Sequence, residues 1–124
     1  GRYWPLELRE IRAAKANDAD SIRKAESERL LHAAGDARLI VCDESGKGLT
    51  SRAFADLMQS LREQASDVAF VIGGAFGVTD DVRRAAHRVV ALAPWTLPHE
   101  LARLVLAEQL YRAGTILKGE PYHK

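Results

Sequence analysis

Two short apolar runs, each emptying into a loop shaped by glycine or proline, set the terms for any fold this chain can adopt. The first is Phe70-Val71-Ile72, followed by Gly73-Gly74-Ala75-Phe76-Gly77; the second is Val89-Val90-Ala91-Leu92, followed by Ala93-Pro94-Trp95-Thr96-Leu97-Pro98-His99. Runs this short and this apolar suit strands buried on both faces, the pattern of a parallel sheet. In open sheets of that kind, ligands bind beyond the carboxyl ends of the strands. The two loops therefore mark where a site belongs.

The rest of the chain fits strands alternating with helices. Residues 3–11 alternate apolar and polar after Pro5, as a half-exposed strand does, and 12–20 read as a loop. Asp20 is expected to cap a helix over 21–34, with Ile22, Ala25, Leu30 and Leu31 inward and Gly35 as its stop. Residues 38–42 form a buried strand and 43–48 a loop; Thr50 or Ser51 caps a helix whose inner face is Phe54, Leu57, Met58, Leu61 and Ala65. A third strand spans 68–72, Thr79 caps a short helix reaching His87, and a fourth strand spans 89–92. The helix from Glu100 to Ala113 carries few polar residues (Arg103, Glu108, Gln109, Arg112) and calls for burial by its own core and by a second copy. Residues 114–124, with two glycines and a proline, read as irregular. The expected class is α/β, a mostly parallel sheet flanked by helices, in one domain of 124 residues.

Charge and cysteine usage narrow the function. A formal net charge of +1 leaves no broad electrostatic footprint, so any RNA contact must come from local patches. Arg2, Arg9, Arg12, Lys15, Arg23 and Lys24 form one such patch, and Arg103, Arg112, Lys118 and Lys124 another. Such charges are usually a solvated face, and equally can meet RNA phosphates. The lone Cys42 excludes an internal disulfide and a cysteine-only metal site, and a reducing, cytoplasmic setting follows as the default. No apolar run approaches the roughly 20 residues of a membrane span, and no signal-peptide pattern opens the chain.

The glycine loop excludes more than it affirms. A phosphate-binding P-loop needs Lys-Ser/Thr at the helix start, where this chain has Val78-Thr79-Asp80-Asp81. A dinucleotide fingerprint would need glycine at Ile72 and an acid near Trp95. Asp80 and Asp81 also put negative charge where a helix amino end would otherwise attract phosphate. The loop suits a ligand without phosphate, held by backbone groups that glycine lets approach, and S-adenosylmethionine meets that description. Equal weight goes to a tight turn with no ligand, and a packing role for Trp95 outweighs a binding one. Of four histidines, His32 and His87 sit at predicted helix ends as structural groups, His99 lies near the presumed pocket and His123 in the tail. No pair has metal-ligand spacing, so no metal site is expected.

Several motifs together resemble one family. Arg38-Leu39-Ile40-Val41-Cys42-Asp43 with Gly46-Lys47, the glycine loop, Thr96-Leu97-Pro98-His99, Glu108-Gln109-Leu110-Tyr111-Arg112-Ala113 and Pro121-Tyr122-His123 occur in the order of the RlmH-type 23S rRNA pseudouridine methyltransferases of the SPOUT superfamily. The resemblance implies a homodimer with a carboxyl-terminal trefoil knot, a rare exception to un-knotted chains. It implies S-adenosylmethionine bound against Cys42, Gly73, Leu92, Ala93, Pro94, Trp95, Thr96 and Leu97. The implied substrate is a pseudouridine in a 23S rRNA stem-loop, free or in the assembled ribosome, methylated at ring nitrogen 3. One subunit's tail would complete the other's pocket, with Arg112, Tyr122, His123 and Lys124 on the RNA side. His99, Arg112 and His123 are the catalytic candidates. Two departures stand out: relatives carry a further strand and helix ahead of the segment matching 3–11, so a sheet short of one strand is expected, and Cys42 replaces a frequent leucine. The competing reading is a non-catalytic RNA- or protein-binding module that kept the fold.

Overall fold

A computed structural model of the chain describes residues 19–65, 67–72 and 79–123. The strand expected over 3–11, the glycine loop at 73–77 and Lys124 lie outside these residues. The element order is α1 (Ala19–Ala34), β1 (Arg38–Gly48), α2 (Ser51–Glu63), β2 (Val68–Ile72), α3 (Asp80–Ala85), β3 (Arg88–Ala91) and α4 (His99–Leu117). Among the described residues the sheet has three strands in the order β2-β1-β3, and both pairings are parallel.

Side-chain alternation along β1 decides which helix goes where. Ile40 and Cys42 face a core built with Phe54, Ala55, Met58 and Leu61 of α2 and Leu106, Leu110 and Ala113 of α4. Leu39 and Val41 face the other way, onto Val71, Val82 of α3, and Leu30, Leu31 and Ala34 of α1. Two helices therefore cover each face of the sheet. A polar hook adds to this on each side. Ser51 Oγ donates to Gln109 Oε1 at 2.8 Å, joining α2 to α4, and the buried Ser27 Oγ accepts from the Thr79 amide at 3.2 Å, joining α1 to the start of α3.

Several boundaries depart from the sequence reading, each for a physical reason. Helix α1 starts at Ala19, so Asp20 is its second residue and not its cap. Gly35, at φ +57°, ends it as expected. Thr50 is the cap of α2, accepting from the Ala53 amide at 3.0 Å, but the helix stops at Glu63 and Ala65 is an exposed turn residue at φ +52°. Thr79 occupies the cap position of α3 without a capping side-chain bond, and α3 ends at Ala85, short of His87. Strand β3 likewise sits one residue earlier than expected. Gly114 does not stop α4. Ile116 and Leu117 still pack on the core, so the helix runs a further turn and closes at Gly119 (φ +69°) in a Schellman arrangement, with Glu120 N bonding Thr115 O at 2.9 Å and Gly119 N bonding Ile116 O at 3.1 Å.

The largest departure is β1 itself. Pairing with β3 runs to Cys42↔Val90, breaks, and resumes at Lys47↔Val90 and Gly48↔Ala91. The expected loop is thus a bulge inside a longer strand. Gly46 permits it, because a Cβ there would lie 2.6 Å from the Val89 carbonyl carbon and oxygen and 2.7 Å from the Val90 nitrogen. Nothing lies within 4 Å of a Cβ added at Gly48. Gly46→Ala is therefore expected to destabilise the fold by about 1–3 kcal/mol, while Gly48→Ala leaves stability nearly unchanged or raises it. Thermal melting of the two variants beside the parent checks the contrast; equal midpoints would place the strain elsewhere.

Candidate active site

Parallel pairing brings the carboxyl ends of all three strands to one edge of the sheet. Strand β1 arrives there with Cys42, opposite Ile72 on one side and Val90 on the other. Beyond it, the bulge turns through Asp43, whose Oδ2 accepts from the Ser45 amide at 3.1 Å and from the Ser45 hydroxyl. The same carboxylate faces Arg83 of α3 at 3.6 Å, and Arg83 also holds Asp80 at 2.9 Å. Glu44 accepts a hydrogen bond from Thr96, which ties the bulge to the loop after β3. In that loop Leu92 packs on the core, Ala93 and Leu97 are half-buried, and Pro94, Thr96 and Trp95 (77% exposed) open to solvent. His99, the first residue of α4, is exposed beside it.

This edge suits an organic cation better than a phosphate. Asp43 and Glu44 rim it, and the first turn of α3 holds Asp80 and Asp81, each closed onto its own arginine (Arg83 at 2.9 Å, Arg84 at 2.6 Å). Neither aspartate leaves room for a second anion. Cys42 is no nucleophile here: burial pushes its thiol up to about 12, so no thiolate forms near neutral pH. No group of residues fit to hold a metal ion occurs among the described residues.

A second cluster forms at the far end of α4. Arg112 donates from Nε to Glu108 at 2.7 Å, and its NH1 lies 2.9 Å from His123 Nδ1. The guanidinium sits 4.9 Å from the centre of the Tyr122 ring, which meets Tyr111 edge-on at 5.0 Å. The expected RNA-side residues Arg112, Tyr122 and His123 thus come together. His99 does not join them. Thirteen residues of α-helix separate it from Arg112, about 20 Å at 1.5 Å per residue. Between the two ends α4 exposes Leu101, Leu104 (66%) and Tyr111, an apolar stripe on the side away from its core contacts.

Sequence reasoning missed the acidic bulge, Arg83 and Ser27. The only signal for the first was Asp43-Glu44 directly after a buried run, and spacing alone could not pair them with residues 83 and 96. His87 belongs to the opposite edge: its ring meets Arg38 at 3.0 Å, and desolvation, then Arg88 and Arg38, hold it below the usual imidazole range. A depression of about 330 Å³ between α2 and β3, lined by Lys47, Leu49, Asp56, Leu57 and Arg88, contains none of the expected cofactor residues.

A parallel α/β sheet with a phosphate-averse, acid-rimmed edge at its strand ends defines a candidate methyl-donor site, and the chain belongs to the SPOUT methyltransferase family. The family profile described as "Predicted SPOUT methyltransferase" matches residues 1–123. Among similar proteins, the Ribosomal RNA large subunit methyltransferase H of Gemmatimonas aurantiaca is 52% identical over 125 residues, covering 98% of this chain and 81% of that protein. The protein of the same name from Rhodospirillum centenum is 46% identical over 123 residues, again 98% and 81%.

The buried thiol has a measurable consequence. Its folded-state value lies above the ordinary 9.0, so the folded protein keeps a proton that the unfolded chain releases between pH 9 and about 12. Stability from this group is complete below pH 9 and is lost as pH rises toward 12. Cys42→Ala is expected to flatten the alkaline fall in denaturation midpoint, and the parent thiol should resist a thiol reagent at neutral pH until the chain unfolds. Rapid labelling of the folded parent would contradict the burial.

Proposed function

We propose that the chain transfers a methyl group from S-adenosylmethionine to ring nitrogen 3 of a pseudouridine in a stem-loop of 23S rRNA, and that it does so as a homodimer. The relatives' shared name, Ribosomal RNA large subunit methyltransferase H, supports the RNA half of this reading. The site chemistry supports the donor half. Asp43 and Glu44 complement a positively charged ligand, and Leu92, Ala93 and Leu97 offer partly buried apolar surface for an adenosine. Cys42, Gly73 and the segment 92–97 would hold the donor, which supplies a methyl group activated by its sulfonium.

The observation that carries the dimer is the separation of the two clusters. Helix rise puts about 20 Å between His99, which follows the strand-end loop, and Arg112 of the tail cluster within one chain, and methyl transfer needs donor and acceptor in contact. Packing α4 against α4 of a second copy, antiparallel along the stripe of Leu101, Leu104 and Tyr111, brings one chain's tail to the other's strand ends and buries that apolar surface. The tail then reads the RNA: Tyr122 offers a stacking face to an unpaired base, and Arg112, with Lys124, offers charge to phosphate or to developing negative charge. In the trefoil-knotted arrangement that goes with this family, the loop after β3 is held open for the donor. The setting is cytoplasmic, where ribosomes are.

Calorimetry with S-adenosylmethionine tests the donor half. Gly73→Val is expected to abolish that binding and leave the fold intact. Deleting residues 121–124 should spare binding and dimerisation and abolish methyl transfer to large-subunit rRNA. Co-expressed, the two damaged chains should recover part of the activity, because a mixed dimer contains one intact composite site. Confirmed mixed dimers without recovery would assign each site to a single chain.

A further inference from the structure

The Arg112–His123 contact constrains the chemistry of the tail more tightly than proximity does. Arginine has five N–H donors, no acceptor, and does not lose its proton in proteins. At 2.9 Å from NH1, Nδ1 of His123 must therefore be the acceptor, and the neutral ring carries its proton on Nε2. The remaining groups enforce the arrangement. Glu108 takes Arg112 Nε at 2.7 and 3.4 Å and so fixes the plane of the guanidinium, and Tyr122 packs under it with Tyr111 behind. The carboxylate of Glu108 is thus occupied by Arg112, and Arg112 in turn occupies His123 Nδ1.

We infer that the tail cluster is a donor set without a base: His123 presents Nε2–H, Arg112 presents its remaining N–H groups, and together they stabilise the anion of the target's ring imide instead of removing its proton. This rests on the function proposed above and goes beyond it by assigning a role to His123. With Nδ1 engaged by Arg112 and Nε2 protonated, the ring has no lone pair free to accept a proton. A ring nitrogen between two carbonyls loses its proton to hydroxide or water, and the resulting charge spreads onto both carbonyl oxygens. N–H donors aimed at those oxygens favour the anion. The nitrogen's lone pair then forms the bond to the methyl carbon as the carbon–sulfur bond breaks, its electrons passing to sulfur, which leaves as a neutral thioether. The proton has already gone to solvent, so no side chain must hold it.

Two measurements test the assignment. In the full chain labelled with ¹⁵N-histidine, the His123 ring should show the Nε2–H tautomer near neutral pH, and Arg112→Ala should shift it toward the tautomer mixture of a free imidazole. This readout does not depend on activity. In methyl transfer to large-subunit rRNA, the rate should climb through neutral into alkaline pH without a break where imidazoles titrate. His123→Gln, which keeps an N–H donor and cannot serve as a base, should stay within about tenfold of the parent, while His123→Ala falls by roughly 100-fold or more, the size of a lost oxyanion donor. An Nδ1–H tautomer, a break near neutral pH that His123→Gln removes, or a folded His123→Gln as inactive as His123→Ala would each overturn the donor role. A parent chain that methylates no large-subunit rRNA would overturn the functional reading instead, with the tautomer measurement still deciding the ring's hydrogen bonding.

Discussion

Burial of β1 on both faces is the constraint on which the remaining structure depends. Ile40 and Val41 are fully buried and point in opposite directions, so neither face of the sheet can be left to solvent. Fully burying a side chain of this size is worth roughly 1.5–3 kcal/mol, and that gain requires a helical layer on each side. Helices α2 and α4 supply one layer, α1 and α3 the other. Covering both faces is also what makes the sheet parallel, since each strand must be followed by a crossover helix before the next can pair. The common edge at which the described strands end, and hence the candidate site, is a by-product of burying one strand.

That edge acquires its chemistry from an irregularity. Had β1 continued straight past Cys42, Asp43 and Glu44 would have alternated across the sheet, one toward each helical layer. The bulge removes both carboxylates from the ladder and hands them to partners on neighbouring elements, Asp43 to Arg83 of α3 and Glu44 to Thr96 of the loop after β3. Gly46 then passes close against the Val89–Val90 backbone so that pairing can resume. One residue without a side chain thus couples strand pairing to the shape of the acid-rimmed edge. The Asp43–Arg83 pair is partly exposed and its energetic weight is small, but it ties α3 to β1.

What was legible in the sequence follows the range of the interactions involved. The strand at 68–72 and the stop at Gly35 depend on neighbours a few residues away, and the local pattern identified them, while it narrowed the α2 cap to Thr50 or Ser51. The extension of α4 past Gly114 depends on Ile116 and Leu117 reaching a core made by distant elements, which overrides a glycine's low helix propensity. Gly114 and Gly119 look alike in sequence, and only the second takes a positive φ. The bulge was equally opaque, because its cause is a contact between residues 46 and 89. For the candidate site, the motifs pointed to stretches that the fold places at the strand-end edge and along α4. They did not show that His99 and Arg112 sit at opposite ends of one rod, although helix rise alone would have given that distance once both were placed on α4.

In the function proposed above, α4 lies between two chemically different half-sites carried by one small domain. Thirteen residues of α4 separate His99 from Arg112, and the helix between them is anchored to the core through Leu106 and Leu110. Separation has a structural consequence. The exposed stripe of Leu101, Leu104 and Tyr111 runs along α4, so in the proposed homodimer covering it with a second copy and uniting the half-sites are one event. An assembly that buries the stripe antiparallel yields two composite sites by symmetry, each with its donor edge from one chain and its donor-rich tail from the other. A parallel assembly would bury the same residues and unite like with like, acid edge with acid edge. In the proposed dimer, charge therefore favours the antiparallel orientation, which apolar burial alone leaves open.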